Sequence, residues 1–221
     1  VSIAVTAKGA SPLAGDWKAA TSGGGLWSYT FDCGAASEGE KTIHLVAADA
    51  VGNALAETTR DFGVDLNDPS LSGLAIDGLP YAGLVYLPSK TVRLSGLAAD
   101  SREIAGVRIE ERKPGDADYS LIQTLAVSAG VEWSHDRVLD AAVSEGLFLY
   151  RVVAYDTAGR TSAEASLSLH YDRTPPAAPS LTAPIAEAYF GEGSAQLKGN
   201  QDADPGSGLA RVEWSYDSGA S

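Results

Sequence analysis

The chain has 221 residues, 16 of them Lys or Arg and 29 Asp or Glu, for a net charge of −13. Such a surface repels phosphates and anionic headgroups, so nucleic acid is excluded as a partner and direct membrane insertion of this segment is not expected. Hydrophobic residues make up 44%, which suits a packed core and argues against disorder.

Taken in chain order, the first clear element is LVAADAVGNALAETTRDFGVDLNDP, from Leu45 to Pro69. It reads as a strand, a tight turn at Asp49–Gly52–Asn53, a second strand and a proline-marked exit. Next come short strands at TVRLSGLA (Thr91–Ala98), VRIEER (Val107–Arg112) and YSLIQTL (Tyr119–Leu125), the last two separated by the loop KPGDAD. LDAAVSEGL (Leu139–Leu147) has room for one helical turn, closed by Gly146. YRVVAYD (Tyr150–Asp156) and LSLHYD (Leu167–Asp172) alternate with period two, the mark of half-buried strands. Between them Asp156 accepts backbone N–H groups and Gly159 supplies a positive φ, which predicts a hairpin.

The second hairpin repeats the first. Asp49, Gly52, Asp65 and Pro69 recur as Asp156, Gly159, Asp172 and Pro176, each 107 residues on. Trp27 precedes Asp49 by 22 residues and Trp133 precedes Asp156 by 23. A second pair overlaps the first: Thr91–Arg112 is similar to SAQLKGNQDADPGSGLARVEWSYD, Ser194–Asp217. In this register Val1 corresponds to Val107 and to Val212. The expected organisation is the C-terminal part of one repeat at 1–66, a complete repeat at 67–173, and the N-terminal part of a third at 174–221. The lack of methionine and the start in mid-pattern read as a piece of a longer polypeptide. Short strands with frequent turns, and no sustained 3.6-residue apolar period, predict antiparallel two-sheet sandwiches.

These residues resemble fibronectin type III and bacterial Ig-like repeats. GVRIEERKPGDADYSLIQTL is similar to the C–C′ region of a type III module, GLFLYRVVAYDTAGRTSAEASLSL to its F–G hairpin, and TPPAAPSL to the start of the next module. GSGLARVEWSYDSG is similar to bacterial Ig-like repeats of large surface proteins. The implied fold is all-β, tandem Ig-like (fibronectin type III-like) antiparallel β-sandwiches, extracellular or at the bacterial cell envelope, without catalysis. The resemblance also implies a strand-F tyrosine bonded back to the E–F corner. Tyr150 stands at that place, with Ile43 as its counterpart in the first repeat. The B-strand tryptophan of such modules is absent, and Gly96 stands near its position.

No catalytic constellation is found. His44, His135 and His170 are scattered, and His44 and His170 fall on the outward phase of their strands, as solvated residues would. Glu110 and Glu111 are adjacent on a strand and point to opposite faces, so they cannot converge on one bond. Cys33 has no ligand neighbours and, as the single cysteine, no disulfide partner; it reads as small and partly buried. The chain is expected to need no cofactor, with Ca²⁺ as the one ion to consider. NQDADPGSG offers Asn200, Asp202 and Asp204 as alternating oxygen donors before glycines, the donor type that hard cations select. The middle repeat's equivalent loop, around Asp100, lacks that cluster. At the joints, Asp65, Asp68 and Asp172 are further Ca²⁺ candidates beside prolines that make each linker short and semi-rigid. Trp17, Trp27, Trp133, Trp214 and Tyr119 sit on strands, where core or edge packing is expected over sugar stacking.

The function these readings support is a spacer or stalk segment of a large secreted or surface-anchored bacterial protein, an adhesin among them. Its partners would be neighbouring repeats of the same polypeptide, with a surface protein or glycan as a further partner class. The alternatives are a polysaccharide- or protein-binding module and an accessory module of a secreted hydrolase.

Overall fold

The computed structural model describes residues 1–88, 90–127, 131–185, 189–191, 193–204 and 206–215. By contacts the chain divides into two compact units, Val1–Asp68 and Pro69–Ser221.

The first unit contains β1 (Ser2–Ala7), β2 (Lys18–Ala19), β3 (Thr21–Gly23), β4 (Leu26–Ser28), β5 (Gly39–Val46) and β6 (Thr58–Val64). Its main sheet has the order β2-β1-β5-β6, and β3-β4 forms a separate hairpin. Ile3, Ala4 and Val64 are buried, and Phe31 meets Phe62 edge to face at 5.7 Å. On β5 the buried side chains include polar ones, Thr42 and His44. His44 is therefore not the solvated residue that strand phase predicts. Its ring bonds Thr6 Oγ1 at 2.9 Å and Glu57 at 2.5 Å, so its buried nitrogens have partners. Cys33 departs the other way: it is exposed.

The second unit contains β7 (Ser70–Ile76), β8 (Leu79–Pro80), β9 (Val85–Leu87), β10 (Lys90–Ala99), β11 (Ile104–Arg112), β12 (Ser120–Leu125), β13 (Val131–Leu139), β14 (Gly146–Asp156), β15 (Ala165–Tyr171), β16 (Ser180–Ala183) and β17 (Lys198–Asn200). Two sheets, β13-β10-β7-β8 and β12-β11-β14-β15-β9, form the middle repeat. In the lettering of immunoglobulin folds these are E-B-A and C′-C-F-G, so the repeat is an Ig-like sandwich of the fibronectin type III kind. β9 adds a parallel strand to β15, which sequence pattern did not suggest.

The alternation read from the sequence is the alternation seen. Val92, Leu94 and Ala98 on β10, Val107 and Ile109 on β11, Phe148, Tyr150, Val152 and Ala154 on β14, and Leu167, Leu169 and Tyr171 on β15 are all buried in one core. Each aliphatic side chain so removed from water contributes about 1.5–3 kcal/mol. Residues 139–147 form turns and strand ends, not a helical turn.

Gly96 explains the missing tryptophan. It pairs across the ladder with Trp133 on β13, which is 1% exposed. A Cβ at position 96 would lie 2.9 Å from the indole ring. The core keeps its large aromatic, supplied by the neighbouring strand, and the glycine gives it room.

The tyrosine bonds also differ from expectation. Tyr150 does not reach the E–F corner; its hydroxyl donates to Glu111 Oε1 at 3.0 Å inside the core. The corner bond comes from Tyr171 on β15, whose hydroxyl donates to the Asp140 carbonyl at 2.9 Å. Tyr150 is drawn away because Glu111, 1% exposed, needs donors. Arg137 supplies the rest, Nε to Oε1 at 2.6 Å and Nη2 to Oε2 at 3.3 Å. Burial, then the Glu111 charge, push the Tyr150 hydroxyl well above the ordinary tyrosine range.

The repeat is visible at the level of single pairs. Val5 faces Ile43 in the first unit, and Glu111 faces Tyr150 in the second. Gly39 faces Val64, as Gly146 faces Tyr171. The same C′-C-F-G order is thus built twice. The A–B pairing recurs as well: Ser70 Oγ donates to the Ala99 carbonyl at 3.1 Å, and Ser180 Oγ to the Asn200 carbonyl at 3.4 Å.

Candidate functional sites at the repeat ends

The loop after β17 carries three of the residues singled out by sequence. Asn200 closes the β16–β17 ladder through its backbone. Asp202 is exposed, and its carbonyl accepts from Gln201 Nε2 at 3.1 Å. Asp204 turns inward on its own loop: Oδ1 accepts from the Gly206 amide at 3.0 Å and Oδ2 from Ser207 Oγ at 3.5 Å. The glycines let the loop curl as read, and the curl is held by Asp204 itself.

Asp172 ends β15 and is 9% exposed. Oδ1 accepts from the Thr174 amide at 3.1 Å and Oδ2 from the Ser207 amide at 2.6 Å. The Ser207 bond, against some loss of solvation, holds this carboxyl below the usual carboxylate range. Asp172 and the Asn200–Gly208 loop, read separately in the sequence, meet here as one joint. Asp65 follows β6; its Oδ1 accepts from the Asn67 amide at 3.3 Å, and its Oδ2 is shielded and without a hydrogen-bond partner. Asp68 is exposed. Among the described residues, Asp68, Asp172, Asp202 and Asp204 belong to no group of three convergent acidic, His or Cys side chains.

The two F–G turns share their main-chain plan. Gly52 and Gly159 adopt φ of 91° and 87°, and the carboxylates of Asp49 and Asp156 accept the amides of Asn53 and Arg160 at 2.8 Å. They part at the second oxygen. Asp49 Oδ2 accepts from Asn53 Nδ2 at 2.7 Å, whereas Asp156 Oδ2 is buried with no partner. Asp100, on the loop between β10 and β11, uses Oδ2 for the Arg102 amide at 2.8 Å and leaves Oδ1 likewise buried and unpaired. One carboxylate oxygen of Asp100 lies within 4.8 Å of one of Asp156. The middle repeat's loop therefore does gather acidic oxygens, drawing the second from a distant strand. Spacing along the chain could not reveal it, because the two aspartates are 56 residues apart.

The aromatic residues divide. Trp133 is core, while Trp27 on β4 is 46% exposed and Trp214 is 70% exposed. Tyr119 takes Arg151 over its ring at 4.0 Å. Glu110 and Glu111 face opposite ways as expected: Glu110 pairs with Arg151 at 2.7 Å on the outer face. Among the described residues no helix is long and apolar enough to cross a membrane.

No protein-family model and no curated protein matches the chain. Solved structures do. The fibronectin(III)-like modules of CbhA from Clostridium thermocellum align at 18% identity and TM-score 0.43, covering 78% of each chain. A tetra-tandem repeat in the extending region of a large adhesion protein aligns at 20% and 0.41, covering 84% of this chain and 45% of that one. The SrpA adhesin of Streptococcus sanguinis aligns at 17% and 0.33, covering 53% and 66%.

Proposed function

We propose that this chain is a run of non-catalytic spacer modules within a large secreted or surface-anchored bacterial protein of the adhesin kind. The observation that carries the reading is the register-matched recurrence of one sheet, with Val5 opposite Ile43 and Glu111 opposite Tyr150. What the copies keep is strand pairing and turn geometry. What they exchange is side-chain chemistry, which suits a part selected for its length and stiffness. The joint after the middle repeat supports the same reading: Thr174-Pro175-Pro176 has few free torsions, and Asp172 ties it to the next repeat's loop through Ser207. The partners of such a segment are its neighbouring repeats, and its place is outside the cell.

Each repeat of this size has a diameter of roughly 33 Å by the scaling of compact domains. Small-angle scattering on chains carrying increasing numbers of these repeats tests the reading. The maximum dimension is expected to grow by about that length per repeat; a dimension that stays near that of one compact globule removes it. A glycan- or protein-binding role is the second reading, favoured by exposed Trp27 on the β3–β4 hairpin. Loss of glycan-array or pull-down signal on Trp27→Ala would support it, and no signal with the unaltered chain would end it.

A further inference from the structure

We propose that the middle repeat binds Ca²⁺ at its B–C and F–G loops, on the carboxylates of Asp100 and Asp156. Both residues belong to the same compact unit. Asp156 ends β14 opposite Ile104, and the Thr157 amide donates to the Glu103 carbonyl at 3.2 Å, so turn and loop are fastened together. Asp156 is 3% exposed. One oxygen of each carboxylate is satisfied by a backbone amide, and the other is shielded from water with no donor. Native structures seldom leave a buried polar atom unpaired, and an anionic one costs most. Two carboxylates with oxygens within 4.8 Å of one another raise that cost, since each disfavours the charge of the other.

A cation between them answers both demands. Ca²⁺ takes oxygen ligands at about 2.3–2.6 Å, so two oxygens on one ion stand up to roughly 5 Å apart. The separation of at most 4.8 Å fits that span. Carboxylates select a hard ion over Zn²⁺, which prefers nitrogen and sulfur. The comparison between copies sharpens the argument. In the first repeat Asn53 fills the second oxygen of Asp49; in the middle repeat Arg160 stands at that position and Asp156 Oδ2 is left over. The aspartate is common to both turns, and the residue four positions on decides whether its second oxygen is closed.

The test is calorimetric titration of CaCl₂ into the chelator-treated full chain, beside Asp156→Asn, Asp100→Asn and the double variant Asp202→Asn/Asp204→Asn. Asparagine keeps the oxygen that accepts each loop amide, and a cooperative thermal unfolding transition by circular dichroism without Ca²⁺ checks that each variant is folded. The unaltered chain is expected to bind with a dissociation constant at or below about 10⁻³ M, the range of extracellular Ca²⁺ modules. Asp156→Asn and Asp100→Asn should each weaken one site at least tenfold, and Asp202→Asn/Asp204→Asn should leave it intact. If Asp156→Asn misfolds, Asp100→Asn alone decides. No binding by the folded chain at millimolar Ca²⁺ overturns the proposal; so does binding that both single variants leave unchanged. Loss of the site in Asp202→Asn/Asp204→Asn alone would also overturn it, placing the ion in the other loop.

Discussion

Arg137→Met tests the buried charge at the centre of the middle repeat. Glu111 is 1% exposed and Arg137, with a side chain 19% exposed, supplies two of its three side-chain hydrogen bonds, the third coming from Tyr150. Methionine fills much of the arginine's volume and removes its charge. Among the described residues, the carboxylate is then left in the core with the Tyr150 hydroxyl as its remaining side-chain donor. Breaking a buried ion pair from one side costs about 3–5 kcal/mol. A domain of about 100 residues loses at least 4 °C in Tm per kcal/mol, so the melting transition should fall by roughly 12 °C or more. Urea and thermal unfolding followed by tryptophan emission read this directly, because Trp133 lies in the same core. The companion variant Glu111→Leu/Arg137→Met/Tyr150→Phe removes all three polar partners together. It should recover most of the loss, since an apolar replacement of a buried pair is often neutral or stabilising. A cost under about 1 kcal/mol for Arg137→Met, well below the range for a buried pair, would refute the reasoning. So would a triple variant no more stable than Arg137→Met.

Gly96→Ala places a methyl group 2.9 Å from the Trp133 ring and should cost about 1–3 kcal/mol by overpacking; adding Trp133→Phe should relieve part of it, and chemical denaturation measures both. In the first unit, Asp61 accepts from Thr42 Oγ1 at 2.7 Å and pairs with Lys8 at 3.3 Å, and these hold its carboxyl below the usual range. A depressed folded value means the stabilisation is complete above the unfolded carboxylate range, near pH 4, and is lost as pH falls through the folded value. Carboxyl ¹³C titration should put the Asp61 midpoint below the ordinary aspartate value, with Thr42→Val moving it upward; a midpoint at or above the ordinary value counts against it.

Strand phase and repeat register were legible because both are local or periodic. Alternation at Tyr150–Asp156 states which side chains face inward, and the Asp–Gly spacing states where the hairpin closes. The misses arose where a side chain's partner lies on another strand. His44 reads as solvated from its phase, yet Thr6 and Glu57 come from elsewhere in the sequence to enclose it. Tyr150 stands at the corner position but bonds Glu111, and only the cross-strand pairing reveals why. Asp100 looked isolated because its companion arrives from β14. The parallel pairing of β9 with β15 lacks a sequence mark, since three residues carry too little pattern.

The copies also separate what the fold demands from what one repeat has acquired. At the C–F pair, the first repeat holds Val5 and Ile43 where the middle one holds Glu111 and Tyr150. An apolar pair therefore suits this backbone position, and the charge in the middle repeat is an addition rather than a requirement. It is tolerated because β13 offers Arg137 from the opposite sheet, and Arg137 also packs over Phe148 at 5.7 Å. The same logic governs the turns. Asp49 and Asp156 both accept the amide four residues on, so that bond belongs to the hairpin. The second oxygen is closed internally by Asn53 in one copy and left open in the other. Divergence at Asn53 and Arg160 thus leaves the hairpin in place while the second carboxylate oxygen, bonded by Asn53 in one copy, has no hydrogen-bond partner in the other.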